Sequence, residues 1–187
     1  MTRTLAFFVL CAVLCVSAAG ATEVAGVVVP ETASLDSDQL VLNGAGVRKK
    51  FFVKVYVGAL FLTRRQDTVE AVLADKGAKR ISMHFLYKEV GRDKMVDGWN
   101  DGFRNNLSDA EFGKLQARLE QLNAMTETLR AGDVMRLDYV PGNGTSVWIN
   151  ETEKGTVPGV DFHQALLKVW LGNMPADNGL KKAMLGK

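Results

Sequence analysis

Apolar residues recur along the chain with two periods, and each switch between them marks an element. Val24 to Val29 is a β-rich run closed by Pro30, and the polar stretch Ser34 to Asp38 links it to a short strand, Leu40 to Leu42. Asn43-Gly44-Ala45-Gly46 then predicts a tight turn. Phe51 to Leu62 is the longest strand candidate. Val53, Val55 and Val57 share one of its faces, and Phe52, Lys54 and Tyr56 the other, which suits one side on a core and one side lining something less apolar. Arg80 to Tyr87 alternates cleanly, with Ile81, Met83, Phe85 and Tyr87 on one side.

The period then lengthens. A short helix is predicted from an Asp67 cap through Ala74, with Gly77 near its end. Asp93 to Asn106 carries Met95, Trp99 and Phe103 at four-residue spacing. Ser108-Asp109-Ala110-Glu111 is a capping box that starts a helix striped with Phe112, Leu115, Leu119 and Leu122, continuing towards Arg130 and stopping near Gly132. Three strands follow, Val134 to Val140, Thr145 to Asn150 and Thr156 to Val157, joined by Pro141-Gly142-Asn143-Gly144 and Glu153-Lys154-Gly155. Asp161 is the predicted cap of a last strong helix, Phe162 to Leu171, and a shorter one runs from Leu180 to Leu185. Strands, helices, strands, helix is not a βαβ alternation. The order predicts an α+β domain, an antiparallel sheet with helices over one face.

The N-terminus changes the domain count. Arg3, the apolar run Leu5 to Val16 and the small residues Ala19-Gly20-Ala21 form the pattern of an export signal over residues 1–21, leaving one domain, 22–187. The run is too short for a comfortable span, which needs about 20 apolar residues. Export would place the protein in the periplasm or the medium. Both cysteines, Cys11 and Cys15, lie in that signal, so disulfide, thiolate and cysteine-metal chemistry are not expected of the remainder. A formal net charge of +2 gives no field for wrapping nucleic acid, and no nucleic-acid partner is expected.

Candidate chemistry is sparse. Gly44-Ala45-Gly46 lacks the third glycine of a dinucleotide loop, since position 49 is lysine. His84 and His163 stand on different elements, too few for a metal site, and no nucleophile elbow is present. Arg48 is the more informative residue. At the foot of a long strand a guanidinium offers a carboxylate or phenolate a planar fork. It is also what a solvated basic hairpin looks like, and the pattern leaves both readings open.

The stretch Leu42 to Leu62, reading LNGAGVRKKFFVKVYVGALFL, resembles the signature of the chalcone isomerase-like superfamily, and Gly159 to Pro175, reading GVDFHQALLKVWLGNMP, is a second similar block. The likeness covers almost all of the chain after the signal and is closest to the bacterial exported branch. It implies an open-faced β-sandwich, a large antiparallel sheet covered on one face by helices, with a ligand cleft between the layers and no cofactor or metal. In the plant enzymes of this superfamily a phenolate adds within its own molecule to an enone, and an arginine matching Arg48 steadies the anion. In fatty-acid-binding relatives the equivalent arginine holds a carboxylate. The enzymes' threonine falls at Tyr56, and their tyrosine and asparagine fall near Gly91 and Gly98, out of register with Tyr87 and Asn100. The expectation is therefore non-catalytic binding of a fatty acid or similar apolar acid, with Arg48 and Tyr56 at its head and Phe52, Trp99 and Phe103 along its tail. The alternatives are an intramolecular lyase or isomerase using Arg48 with Tyr56, and a structural module of the cell envelope. Oligomeric state is not readable.

Overall fold

The computed structural model describes residues 20–187. The predicted export signal lies outside the described residues except for Gly20 and Ala21. The predicted first strand is instead a hairpin, β1 (Ala21–Val24) and β2 (Val27–Pro30), because Ala25 and Gly26 both take positive φ and reverse the chain. The polar stretch after it is likewise a turn rather than a linker: Asp36, at φ 52°, joins β3 (Thr32–Leu35) to β4 (Asp38–Lys50).

Strand β4 overturns the turn predicted at Asn43 to Gly46, because it runs through those residues without reversing. Asn43 is a bulge in the pairing with β5 (Val53–Leu62), and its buried side chain donates to the Gln66 and Met184 carbonyls and accepts from the Gln66 N–H. The chain reverses at Phe51-Phe52 instead. Helix α1 (Val69–Ala74) is capped by Thr68, not Asp67, and leads to β6 (Lys79–Phe85) and β7 (Glu89–Val90). Helix α2 (Arg92–Asn106) follows, then α3 (Asp109–Met125), whose Ser108–Glu111 capping box forms as the sequence predicts. The expected continuation of α3 is instead β8 (Leu129–Arg130), paired with β7. Strands β9 (Val134–Val140), β10 (Gly144–Ile149) and β11 (Thr152–Val157) precede α4 (Val160–Leu171) and α5 (Asn178–Met184). Gly159 occupies the cap of α4; Asp161 sits in its first turn, where both carboxylate oxygens accept from Arg118 at 2.6 Å.

Seven strands form one antiparallel sheet in the order β11-β10-β9-β6-β5-β4-β3. One face packs on the helices in a core running from Leu60, Ile81 and Leu137 of the sheet to Leu119, Leu166 and Trp170 of the helices. The other face is covered in part by the β1–β2 hairpin, over a smaller cluster that includes Val29, Leu40, Val57 and Phe61. Burying each such side chain contributes about 1.5–3 kcal/mol, so the two clusters hold the sheet from both sides. Gly44, Gly46 and Gly58 form a flat floor for α5. A Cβ on Gly44 would collide with the Ala183 carbonyl oxygen, and one on Gly46 would come within 2.5 Å of Ala183 Cβ.

Candidate functional site

A second irregularity in the β4–β5 pairing shapes the site. Arg48 pairs with Tyr56 and Lys49 with Lys54, so Val55 is an extra residue on β5. The bulge turns Val55 and Tyr56 together towards the helices, while Val57 goes to the opposite face. Strict alternation, which placed Val55 with Val57, fails at this one residue. Arg48 and Tyr56, opposite each other, thereby face the same space.

That space is a cleft of about 610 Å³ between the sheet and α2. Val53, Val55, Tyr56 and Met83 line it from the sheet. Met95, Gly98, Trp99 and Gly102 of α2 and Val169 of α4 line it from the helices, with Met174 to Ala176 at one side. Charged groups collect at its rim: Arg48, Lys50 and Lys94, with Glu89, Asp97 and Asp101. The volume, with an apolar floor and a charged rim, suits a small molecule that has an apolar body and a polar head.

The head of the cleft is built from Arg48 and Tyr56. The guanidinium carbon of Arg48 stands 5.6 Å from the centre of the Tyr56 ring. Among the described residues no carboxylate lies within ion-pair distance of that half-buried guanidinium. The Tyr56 hydroxyl is buried and accepts a hydrogen bond from Trp170 Nε1 at 2.8 Å. Burial pushes its pKa up, against the opposing pull of Arg48 and the Trp170 hydrogen bond. The phenol therefore stays protonated and keeps its own proton to donate. Asp177 also raises the Tyr56 pKa, and its oxygens are taken by the backbone N–H groups of Lys49 and Leu180, each at 2.9 Å.

The five residues expected at the site separate. Arg48, Tyr56 and Trp99 line the cleft. Trp99 is a fixed wall, its Nε1 donating to Thr126 Oγ1 at 3.1 Å and its ring edge-on to Trp170 at 5.7 Å. Phe52 does not reach the cleft, because it occupies the hairpin tip and is fully exposed. Phe103 lies below the cleft, wholly buried against Phe162 at 5.5 Å between ring centres. The two histidines stand apart, His84 on the face away from the helices and His163 buried on α4 beside Thr145 and Tyr139.

The residues that sequence reasoning missed are Met83, Met95, Gly98, Gly102 and the Trp170 that anchors Tyr56. A signal for them existed. Gly91, Met95, Gly98 and Gly102 recur on one side of α2, and two glycines inside a helix cost about 1 kcal/mol each, which calls for a reason of close approach or open space. The structure contains both. A Cβ on Gly102 would stand 2.9 Å from Val169, whereas one on Gly98 would meet nothing within 4 Å.

The chalcone isomerase-like family profile matches residues 21–186. Among solved structures, the crystal structure of a fatty-acid binding protein from Arabidopsis thaliana superposes with a TM-score of 0.63 at 16% identity, covering 86% of this chain and 92% of that one. At that identity the likeness is one of fold. No curated protein matches the chain.

Proposed function

The chain belongs to the chalcone isomerase-like family, and from that premise we propose that it binds an apolar molecule with one anionic head, a fatty acid or a chemical equivalent, without transforming it. The observation that carries this reading is the unpaired Arg48 guanidinium beside a protonated Tyr56 at the head of an apolar cleft. A partly buried guanidinium with no acid partner keeps its planar donor fork open to an anionic head group. Arg48 would contribute the charge and the phenol a second hydrogen bond, while Val55, Met83, Met95 and Trp99 take the hydrocarbon. The methionines suit a tail of irregular shape, since their side chains adapt to what they touch.

Binding is favoured over ring closure by what faces the head group. The tyrosine and asparagine donors that the resemblance expects fall near positions 91 and 98, both glycines that line the cleft, and Tyr87 lines it only from an exposed position. A reaction that develops charge on an enone oxygen needs donors placed for it; a bound carboxylate needs only its arginine and hydroxyl. The N-terminal pattern adds the proposal that the protein works after export, with its ligand met outside the cytoplasm.

The test is native mass spectrometry of protein prepared without detergent, followed by titration of a medium-chain fatty acid into the lipid-stripped protein and its Arg48→Ala variant. A charge-assisted hydrogen bond of about 1.5–3 kcal/mol corresponds to a ten- to hundred-fold loss of affinity. Equal affinity in the two proteins would reject the reading. Absorbance loss of a hydroxylated chalcone above the uncatalysed rate would replace it with the lyase.

A further inference from the structure

The tip of the β4–β5 hairpin has a composition that folding alone does not favour. Lys50 pairs with Val53, so Phe51 and Phe52 are the two residues of the turn. Phe51 takes φ 56°, a left-handed conformation that glycine adopts at no cost and that a bulky side chain avoids. Neither ring recovers that cost by packing, for Phe51 is 88% exposed and Phe52 completely so. Behind them Lys49 and Lys54 face each other as a cross-strand pair of like charge, with exposed Lys50 adjacent. Among the described residues none of these three ammonium groups has an ion-pair partner, although the Lys49 backbone N–H donates to Asp177. The acids in the neighbourhood are otherwise engaged or stand across the cleft: Asp177 caps α5, Glu89 pairs with Arg130 at 2.8 Å, and Asp97 and Asp101 belong to α2.

We propose that this tip docks on the surface of an anionic phospholipid bilayer, with Phe51 and Phe52 entering the headgroup–acyl boundary and Lys49, Lys50 and Lys54 on the phosphates. Apolar rings ahead of a ring of lysines are what an interface with an apolar interior and a negative surface recognises. The negative field relieves the Lys49–Lys54 repulsion, and burial of the rings offsets the strain at Phe51. The docked tip opens on the cleft, since Phe51, Val53 and the exposed Tyr87 and Met174 all line it. The docking stands on the tip's own chemistry and holds whatever molecule the cleft takes.

The test uses the full chain, and every reading is the difference between a variant and the parent, so that the apolar run Leu5 to Val16, common to all of them, cancels. Phe52→Trp is titrated with vesicles of bromine-labelled phosphatidylcholine, with and without phosphatidylglycerol. After subtraction of the parent's Trp99, Trp148 and Trp170 emission, the expected result is a blue shift and quenching at position 52 only when phosphatidylglycerol is present, weakened by salt. Replacing Lys49, Lys50 and Lys54 together with Gln should lower partitioning roughly a hundred-fold, about five-fold for each charge. Phe51→Gly should also weaken partitioning while raising the melting temperature, which separates a docking loss from a folding loss. Four results would each overturn the proposal: no quenching on anionic vesicles, equal partitioning to neutral ones, partitioning unchanged by the lysine replacements, or a blue shift that grows with protein concentration without vesicles. The last would assign the tip to a second copy of the chain. Fatty-acid affinity measured without vesicles is read separately, so either proposal can fail alone.

Discussion

Replacing Gly98 with Leu should raise stability and lower ligand affinity at once. Gly98 lies inside α2, lines the cleft, and has open space where a Cβ would be. Glycine in a helix interior is about 0.8–1 kcal/mol worse than alanine, and leucine is nearly as good as alanine, so the change is worth about 0.7 kcal/mol before any new contact. For a chain of this size that is a rise in Tm of about 2 °C. The four added carbons occupy room that a ligand tail would use. If each displaces one buried methylene, at about 0.8 kcal/mol apiece, the loss is about 3 kcal/mol, or two orders of magnitude in Kd. Gly98→Ala separates the effects: it should give most of the Tm gain and lose at most about four-fold in affinity. Thermal melts by circular dichroism and displacement of a fluorescent fatty acid read the two quantities. A leucine variant that melts higher but binds as tightly as the parent would put the ligand elsewhere. One that melts lower would show that the space above Gly98 is filled in solution.

Three further outcomes follow from the same geometry. Gly44→Ala should cost about 2–4 kcal/mol in urea denaturation, because the new carbon meets the Ala183 backbone rather than a flexible side chain and α5 must lift, uncovering Leu180 and Met184; an unchanged midpoint would refute this docking of α5. Tyr56→Phe should strand the buried Trp170 Nε1 and cost about 1–3 kcal/mol of stability together with a loss of fatty-acid affinity, so a variant of parental stability would count against that hydrogen bond. Burial, with Lys79 adding to it, pushes the His163 pKa down from 6.5 to about 3. Above 6.5 neither the folded nor the unfolded chain holds that proton; below it the unfolded chain takes it and the folded chain does not. Stability should therefore fall from pH 6.5 towards 3 by up to about 1.4 kcal/mol per unit, in step with His84, whose pKa burial also lowers. His163→Phe should flatten that slope, and an unaltered profile would show that the imidazole is not held neutral.

Local chemistry was legible where neighbours in sequence decide the outcome. The Ser108–Glu111 box closes within one turn, and the alternation of β6 and the stripe of α3 need only a core somewhere to face. From these the sequence alone determined an antiparallel sheet under helices, and the Arg48 stretch carried the family likeness. What it could not determine was where backbone regularity breaks. Gly44 and Gly46 read as a turn because glycine permits one, yet their small size serves α5, which arrives from more than a hundred residues later. The extra residue at Val55 puts Tyr56 in the cleft and leaves strict alternation wrong by one position, and no local preference reveals a bulge that only the pairing of two strands creates. Phe52 and Phe103 matched the apolar wall of a cleft in type but not in place, one at a hairpin tip and one inside the core. Residue chemistry set what this chain is able to bind; the register of β4 on β5 and the seating of the helices decided which side chains meet, because those depend on contacts between segments that share nothing in sequence but their final proximity.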